Sequence, residues 1–164
     1  MIEGNAMSVL AILALLNAAA VATPALPFDL SARTVVATFH AEGAQLYQCK
    51  AKPGGSELVW TFREPIAALM ENGETIGRHF AGPRWELDDG SVVQARMTQS
   101  MAAPTPSDIP MLKLDVIQHK GHGRLDQVTT VYRLDTHSGA LQGACSTPGA
   151  FRSIPYSAEY VFAR

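Results

Sequence analysis

Along most of the chain, apolar residues recur at every second position, the period of a half-buried β-strand. Leu58, Trp60 and Phe62 share one face, with Val59, Thr61 and Arg63 on the other. Val93, Ala95, Met97, Gln99 and Met101 alternate with Val92, Gln94, Arg96, Thr98 and Ser100, and Leu112, Leu114 and Val116 alternate with Lys113, Asp115 and Ile117. Val128, Thr130, Tyr132 and Leu134 follow, then Ala158, Tyr160 and Phe162. Two further strands are expected at Thr34–His40 and Ala44–Ala51, separated by Glu42-Gly43. Asp88-Asp89-Gly90-Ser91 is the strongest hairpin signal. Lys52–Ser56, Asn72-Gly73 and Lys120–Gly123 read as turns, and Ala102–Pro110 as a proline-rich loop. Thr75–Phe80 and Arg84–Leu87 are strand pieces interrupted at Ala81-Gly82-Pro83, where a proline that cannot donate to a ladder predicts a bulge or an edge. Pro65–Met70 reads as a single helical turn. The sum is about eight short strands joined by short turns, which predicts one antiparallel β-barrel or β-sandwich over residues 33–164.

The amino-terminal stretch breaks this pattern. All Lys and Arg lie from Arg33 onward, and Val9–Ala22 is apolar apart from Asn17. At about 14 residues this run is short for a spanning helix, which needs roughly 20. It fits the apolar region of a signal peptide over 1–22, with cleavage near Ala22 or Ala25. No Lys or Arg precedes it, and translation from Met7 would leave only the amino terminus as positive charge. The expectation is an exported protein, periplasmic or secreted, with no stable membrane span after cleavage.

Composition agrees with one packed domain: 164 residues, 47% hydrophobic and 17% charged, with a net charge of −2 and no block of either sign. A nucleic-acid binder would show a basic face, so that class is set aside. The two cysteines, Cys49 and Cys145, lie 96 positions apart and form no CxxC motif. In an oxidising compartment such a pair reads as one disulfide; the alternative is two buried free thiols.

Two clusters carry candidate chemistry. His119-Lys-Gly-His122 sets two imidazoles around a turn, and with His79 it would make a divalent-metal site if the three converge; otherwise the pair is a solvated hairpin tip. The segment from Gly77 to Ser91 gathers His79, Gly82, Trp85, Asp89 and Ser91, the candidate ligand-binding set. Its plain structural reading makes Trp85 core and Asp89-Gly90 the hairpin turn. Nucleophile-elbow, zinc-protease and phosphate-loop motifs are absent. A hydrolase would therefore need a dispersed site, with His79 beside Asp88 or Asp89. Three function classes remain: a non-enzymatic binding module for a small ligand or an envelope or extracellular protein, a histidine-based metal binder, and a dispersed-site hydrolase. The first is preferred, with no cofactor predicted, because loops on a rigid scaffold commonly carry recognition.

One ordered set of motifs resembles a known family. Gly43-Ala-Gln-Leu-Tyr47-Gln-Cys49, Trp60, Gly77-Arg-His79-Phe-Ala-Gly82-Pro-Arg-Trp85 and Asp89-Gly90-Ser91 are followed by Ile109-Pro110 and Val128-Thr-Thr-Val-Tyr-Arg133-Leu. Thr136-His-Ser-Gly139, Cys145 and Pro155-Tyr-Ser-Ala-Glu-Tyr160-Val-Phe162 complete it. In that order they resemble the exported proteins catalogued as domain of unknown function 3455, over roughly residues 33–163. Met111 stands where a tryptophan is expected after Ile-Pro, and Ser138-Gly139 replaces a Gly-Gly pair. The resemblance implies export, a Cys49–Cys145 bridge and a compact β domain. It implies no activity, substrate, cofactor or catalytic residue.

Overall fold

The computed structural model describes residues 28–164, so the expected signal segment 1–22 and its cleavage sites lie outside the described residues. Eight strands follow one another: β1 (Val35–Ala51), β2 (Leu58–Glu71), β3 (Glu74–Phe80), β4 (Arg84–Leu87), β5 (Val92–Met101), β6 (Met111–Lys120), β7 (Thr130–Ser138) and β8 (Phe151–Ala163). Each pairs antiparallel with the next, and β8 returns to β1, closing a barrel in sequence order. Closure leaves no free edge along the wall. This decides between the two expected architectures in favour of the barrel.

Two local expectations are corrected. The break expected at Glu42-Gly43 is absent, because β1 runs unbroken for 17 residues. Gly43 faces Ala67 on one side and Tyr156 on the other, and a Cβ there would come within 2.0 Å of the Ile66 carbonyl oxygen. The glycine permits a close approach of strands rather than ending one. Pro65–Met70 is not helical but the second half of β2. Pro65 pairs with Gln45 of β1, while β3 begins to pair with β2 only at Ala67, so the missing N–H falls where β2 has a single neighbour.

Inward positions of the strands form one core, including Phe39, Leu69, Trp85, Val93, Leu114, Val131, Tyr160 and Phe162. A smaller cluster covers the outside of β7 and β8, where Phe28 packs on Tyr132 at 5.8 Å between ring centroids. Both faces of β7 are therefore buried, with Thr130, Val131 and Tyr132 all nearly inaccessible.

An up-and-down barrel has two ends, and here they differ. The connections β2–β3, β4–β5 and β6–β7 share one end, which the β6–β7 connection plugs with the buried Leu125 and Val128. Arg124 locks this plug through Nη1 and Nη2 on the Glu71 carboxylate (2.8 and 2.9 Å) and through its backbone N–H on Asp89 (2.8 Å). At the other end lie the β1–β2, β3–β4, β5–β6 and β7–β8 connections. The β7–β8 connection runs along the start of β2, with Val59 bridged to Ala144, and the Cys49–Cys145 disulfide fastens it to the end of β1. That end is left open.

Candidate functional site

The open end leads into a cavity of about 420 Å³ inside the barrel. Its wall is aromatic: His79 and Trp85 from β3 and β4, Tyr160 from β8, Tyr47 from β1 and Phe62 from β2. Gly82-Pro83 and Ile109-Pro110 form parts of the rim, and among the described residues no Asp or Glu lines the cavity. Interiors of eight-stranded barrels are wide enough to be filled by side chains or to hold one small ligand. In this barrel the plugged half is filled and the open half is hollow.

His79 is set by register. It pairs with Ala67 of β2 and Trp85 of β4, so all three face inward. Its ring stacks on Trp85 with centroids 4.5 Å apart and planes 12° apart, and it leans on Tyr160 at 5.0 Å. The Nδ1–H donates to the Arg84 carbonyl at 2.8 Å, which leaves Nε2 as an acceptor. Burial drives its pKa down to about 3; the Arg133 charge adds to this, and the bond to Arg84 only partly opposes it. The imidazole is therefore neutral across the physiological range.

Arg133 is the polar centre of the cavity wall. It pairs with Leu112 of β6 and Tyr160 of β8, and it donates from Nε and Nη2 to the Pro110 carbonyl at 3.0 and 2.8 Å. This fork ties the β5–β6 loop to the barrel wall. Nearby, Gln45 is 2% exposed, and among the described residues neither its Nε2 nor Trp85 Nε1 has a hydrogen-bond partner. The Tyr47 hydroxyl donates to the Gly139 carbonyl at 2.8 Å and accepts from the Leu141 N–H at 3.2 Å, linking the cavity wall to the β7–β8 connection.

Of the expected ligand-binding residues, the structure brings together His79, Gly82 and Trp85 in the cavity wall. Asp89 and Ser91 lie at the plugged end. Asp89 accepts from the Ser91 N–H (2.9 Å), the Ser91 hydroxyl (2.6 Å) and the Arg124 N–H, as the β4–β5 turn demands. Because β4 crosses the wall between them, Gly82 and Asp89 occupy opposite ends of the barrel. A dispersed hydrolytic pair of His79 with Asp88 or Asp89 is not formed, since the Nδ1 partner of His79 is a backbone carbonyl.

The three candidate metal ligands are not brought together either. His79 points into the cavity, whereas His119 sits at the far end of β6 with Nε2 on the Val128 carbonyl at 2.9 Å. His122 projects into solvent, 96% exposed and 3.5 Å from Asp126. Among the described residues no group of three His, Cys, Asp or Glu side chains is placed to hold a metal ion.

Sequence reasoning overlooked Gln45, Tyr47, Phe62 and Arg133 as site residues. Arg133 carried a signal: it is a charge in the apolar run Val128–Leu134, at an inward position beside Val131.

Fold and site together define a disulfide-tied, eight-stranded up-and-down β-barrel with a hollow, aromatic-walled mouth. The chain belongs to the family described as proteins of unknown function, DUF3455, whose model matches residues 70–164. The match takes in β3 to β8, including His79, Trp85, Arg133 and Tyr160 of the cavity wall. No curated protein matches the chain. No solved structure matches it.

Proposed function

We propose that this protein is a non-enzymatic binding module that takes a small, largely apolar molecule into the open half of its barrel. The observation that carries this reading is the cavity itself. At about 420 Å³ it falls within the range of ordinary ligand pockets, ~300–1,000 Å³, and its lining is mostly apolar and aromatic with a few polar groups, as such pockets are. The frame around it is stiff. A closed ladder forms the walls, the Cys49–Cys145 bridge pins one rim connection, and Arg133 fixes another. A preformed site of this kind loses little entropy on binding.

An exported location accords with this reading. The apolar run Val9–Ala22 suits a signal peptide, and a disulfide persists in an oxidising compartment. Among the described residues no helix is long and apolar enough to cross a membrane.

The direct test is titration with N-phenyl-1-naphthylamine, a neutral apolar probe that brightens on leaving water. Saturable binding is expected at one site, and it should disappear in Leu112→Trp, which fills the cavity from β6. Binding that survives in a folded Leu112→Trp, or no binding to the wild-type protein, overturns the reading.

A further inference from the structure

We infer that the molecule held in the cavity is a monocarboxylate with an apolar body, its carboxylate paired with Arg133. This rests on the reading of the cavity as a ligand site and specifies the ligand's chemistry.

The charges at the cavity wall do not balance. Arg133 sits half-buried at an inward position of β7, yet among the described residues it has no acidic partner, and no Asp or Glu lines the cavity. Its two short hydrogen bonds, from Nε–H and one Nη2–H, both go to the Pro110 carbonyl, and its other neighbour is the Tyr160 phenol, so both contacts are uncharged. Among the described residues no carboxylate answers the guanidinium charge. The other cation at the mouth, Arg63, is already engaged: its Nε lies 3.1 Å from the Glu64 carboxylate and its guanidinium lies over the Phe151 ring. Arg133 is thus the uncompensated charge of the site.

Charges withdrawn from water are normally paired, because an apolar environment penalises a lone ion. Its surroundings are apolar on several sides, with Leu112, Ile109 and Tyr160 all in the cavity wall. Burial dominates at the neighbouring wall, lowering the His79 pKa and raising that of the Tyr160 phenol, and the Arg133 charge adds to the first shift and opposes the second. A ligand carboxylate completes this arrangement. Its two oxygens match the planar guanidinium, and Arg–carboxylate pairs are short and geometrically specific. The aromatic wall then accepts the apolar remainder of the molecule. An apolar cation is disfavoured by the same charge, and an uncharged hydrocarbon leaves it unpaired.

The experiment is competition against the neutral probe N-phenyl-1-naphthylamine, with decanoate and decan-1-ol as a charged and uncharged pair of matched length. The expected result is displacement by decanoate at a concentration about tenfold or more below that of decan-1-ol, the gain of one charge-assisted contact. Arg133→Met should abolish that preference, so that decanoate and decan-1-ol displace the probe equally. Arg133→Lys, which retains charge without the fork, should narrow the preference severalfold. Equal displacement of the wild-type probe by the two compounds, or a preference that persists in Arg133→Met, overturns the carboxylate assignment while leaving the cavity reading intact. Absence of probe binding removes both. The wild-type comparison decides the matter even where loss of the Arg133–Pro110 fork unfolds the variant.

Discussion

His79 and Trp85 lie face to face across the β3–β4 ladder, with ring centroids 4.5 Å apart and planes 12° apart. Tyr160 closes on both rings, at 5.0 Å from His79 and 5.4 Å from Trp85. The stack builds one wall of the cavity from three elements, and its burial keeps the imidazole uncharged.

That condition makes stability depend on pH. The folded imidazole has a pKa of about 3 against an ordinary value of 6.5, so below 6.5 the unfolded chain takes up a proton that the folded chain refuses. Stability should therefore fall as pH drops below 6.5, by roughly 1 kcal/mol per pH unit, until the folded protein also protonates. His40 acts in the opposite sense: its pKa is raised, chiefly by the hydrogen bond with Glu159, so its contribution is present below 6.5 and is lost as pH rises. His40 is far more exposed than His79, so its effect is the smaller one. Urea unfolding between pH 7.5 and 5 checks this, above the range of ~4 where carboxylates begin to protonate. His79→Phe should flatten the slope; a slope unchanged in that variant would refute the assignment.

Much of this architecture is legible in the chain because it is local. The alternation Ala158, Tyr160, Phe162 and the Asp88–Ser91 turn each follow from a few neighbouring residues, and β8 and the β4–β5 hairpin appear as expected. What sequence misassigns depends on distant contacts. Gly43 reads as a break because its role, admitting the backbone at Ile66 and Ala67, involves residues more than twenty positions away. The phase of β7 is hidden because Phe28 buries Tyr132 from outside while Val131 and Arg133 face inward, so both faces look apolar. The cavity draws on all eight strands and two connections, which no local spacing encodes.

Asp89 illustrates the cost of reading nearness in sequence as nearness in space. Burial works against its carboxylate, yet the bonds from Arg124 and Ser91 outweigh it and hold its pKa below the ordinary range. Asp89→Ala removes the acceptor for three donors and should destabilise the protein by about 1–3 kcal/mol. Probe affinity in the cavity should stay within about twofold of wild type, because the turn lies at the opposite end. Thermal unfolding paired with probe titration measures both; a large loss of affinity in the folded variant would place the ligand near the plug instead.

The disulfide acts on the rim. Cys49 and Cys145 are 96 residues apart, and on the chain-entropy model a loop of that size contributes about 4–5 kcal/mol. The paired Cys49→Ser, Cys145→Ser variant should lose several kcal/mol in denaturant unfolding. Faster amide exchange should concentrate at the bonds Trp60 N–H to Gly143 and Cys145 N–H to Leu58, which the bridge holds in place. Uniform exchange across the barrel would show instead that the bridge supports the whole fold equally.

The two tryptophans allow the ligand position to be read directly. Trp85 is 1% exposed and lines the cavity, whereas Trp60 lies outside it, under the Arg152 guanidinium at 5.4 Å. In Trp60→Phe the remaining emission comes from Trp85, whose Nε1 has no partner in the folded protein and whose face is already covered by His79. A molecule entering beside that stack changes the field and contacts at the indole, so titration with decanoate should shift or quench the emission saturably. In Trp85→Phe the signal from Trp60 should stay constant over the same range. The reverse pattern, with Trp60 responding and Trp85 silent, would move the binding site out of the barrel to the disulfide-bound extension of β1 and β2.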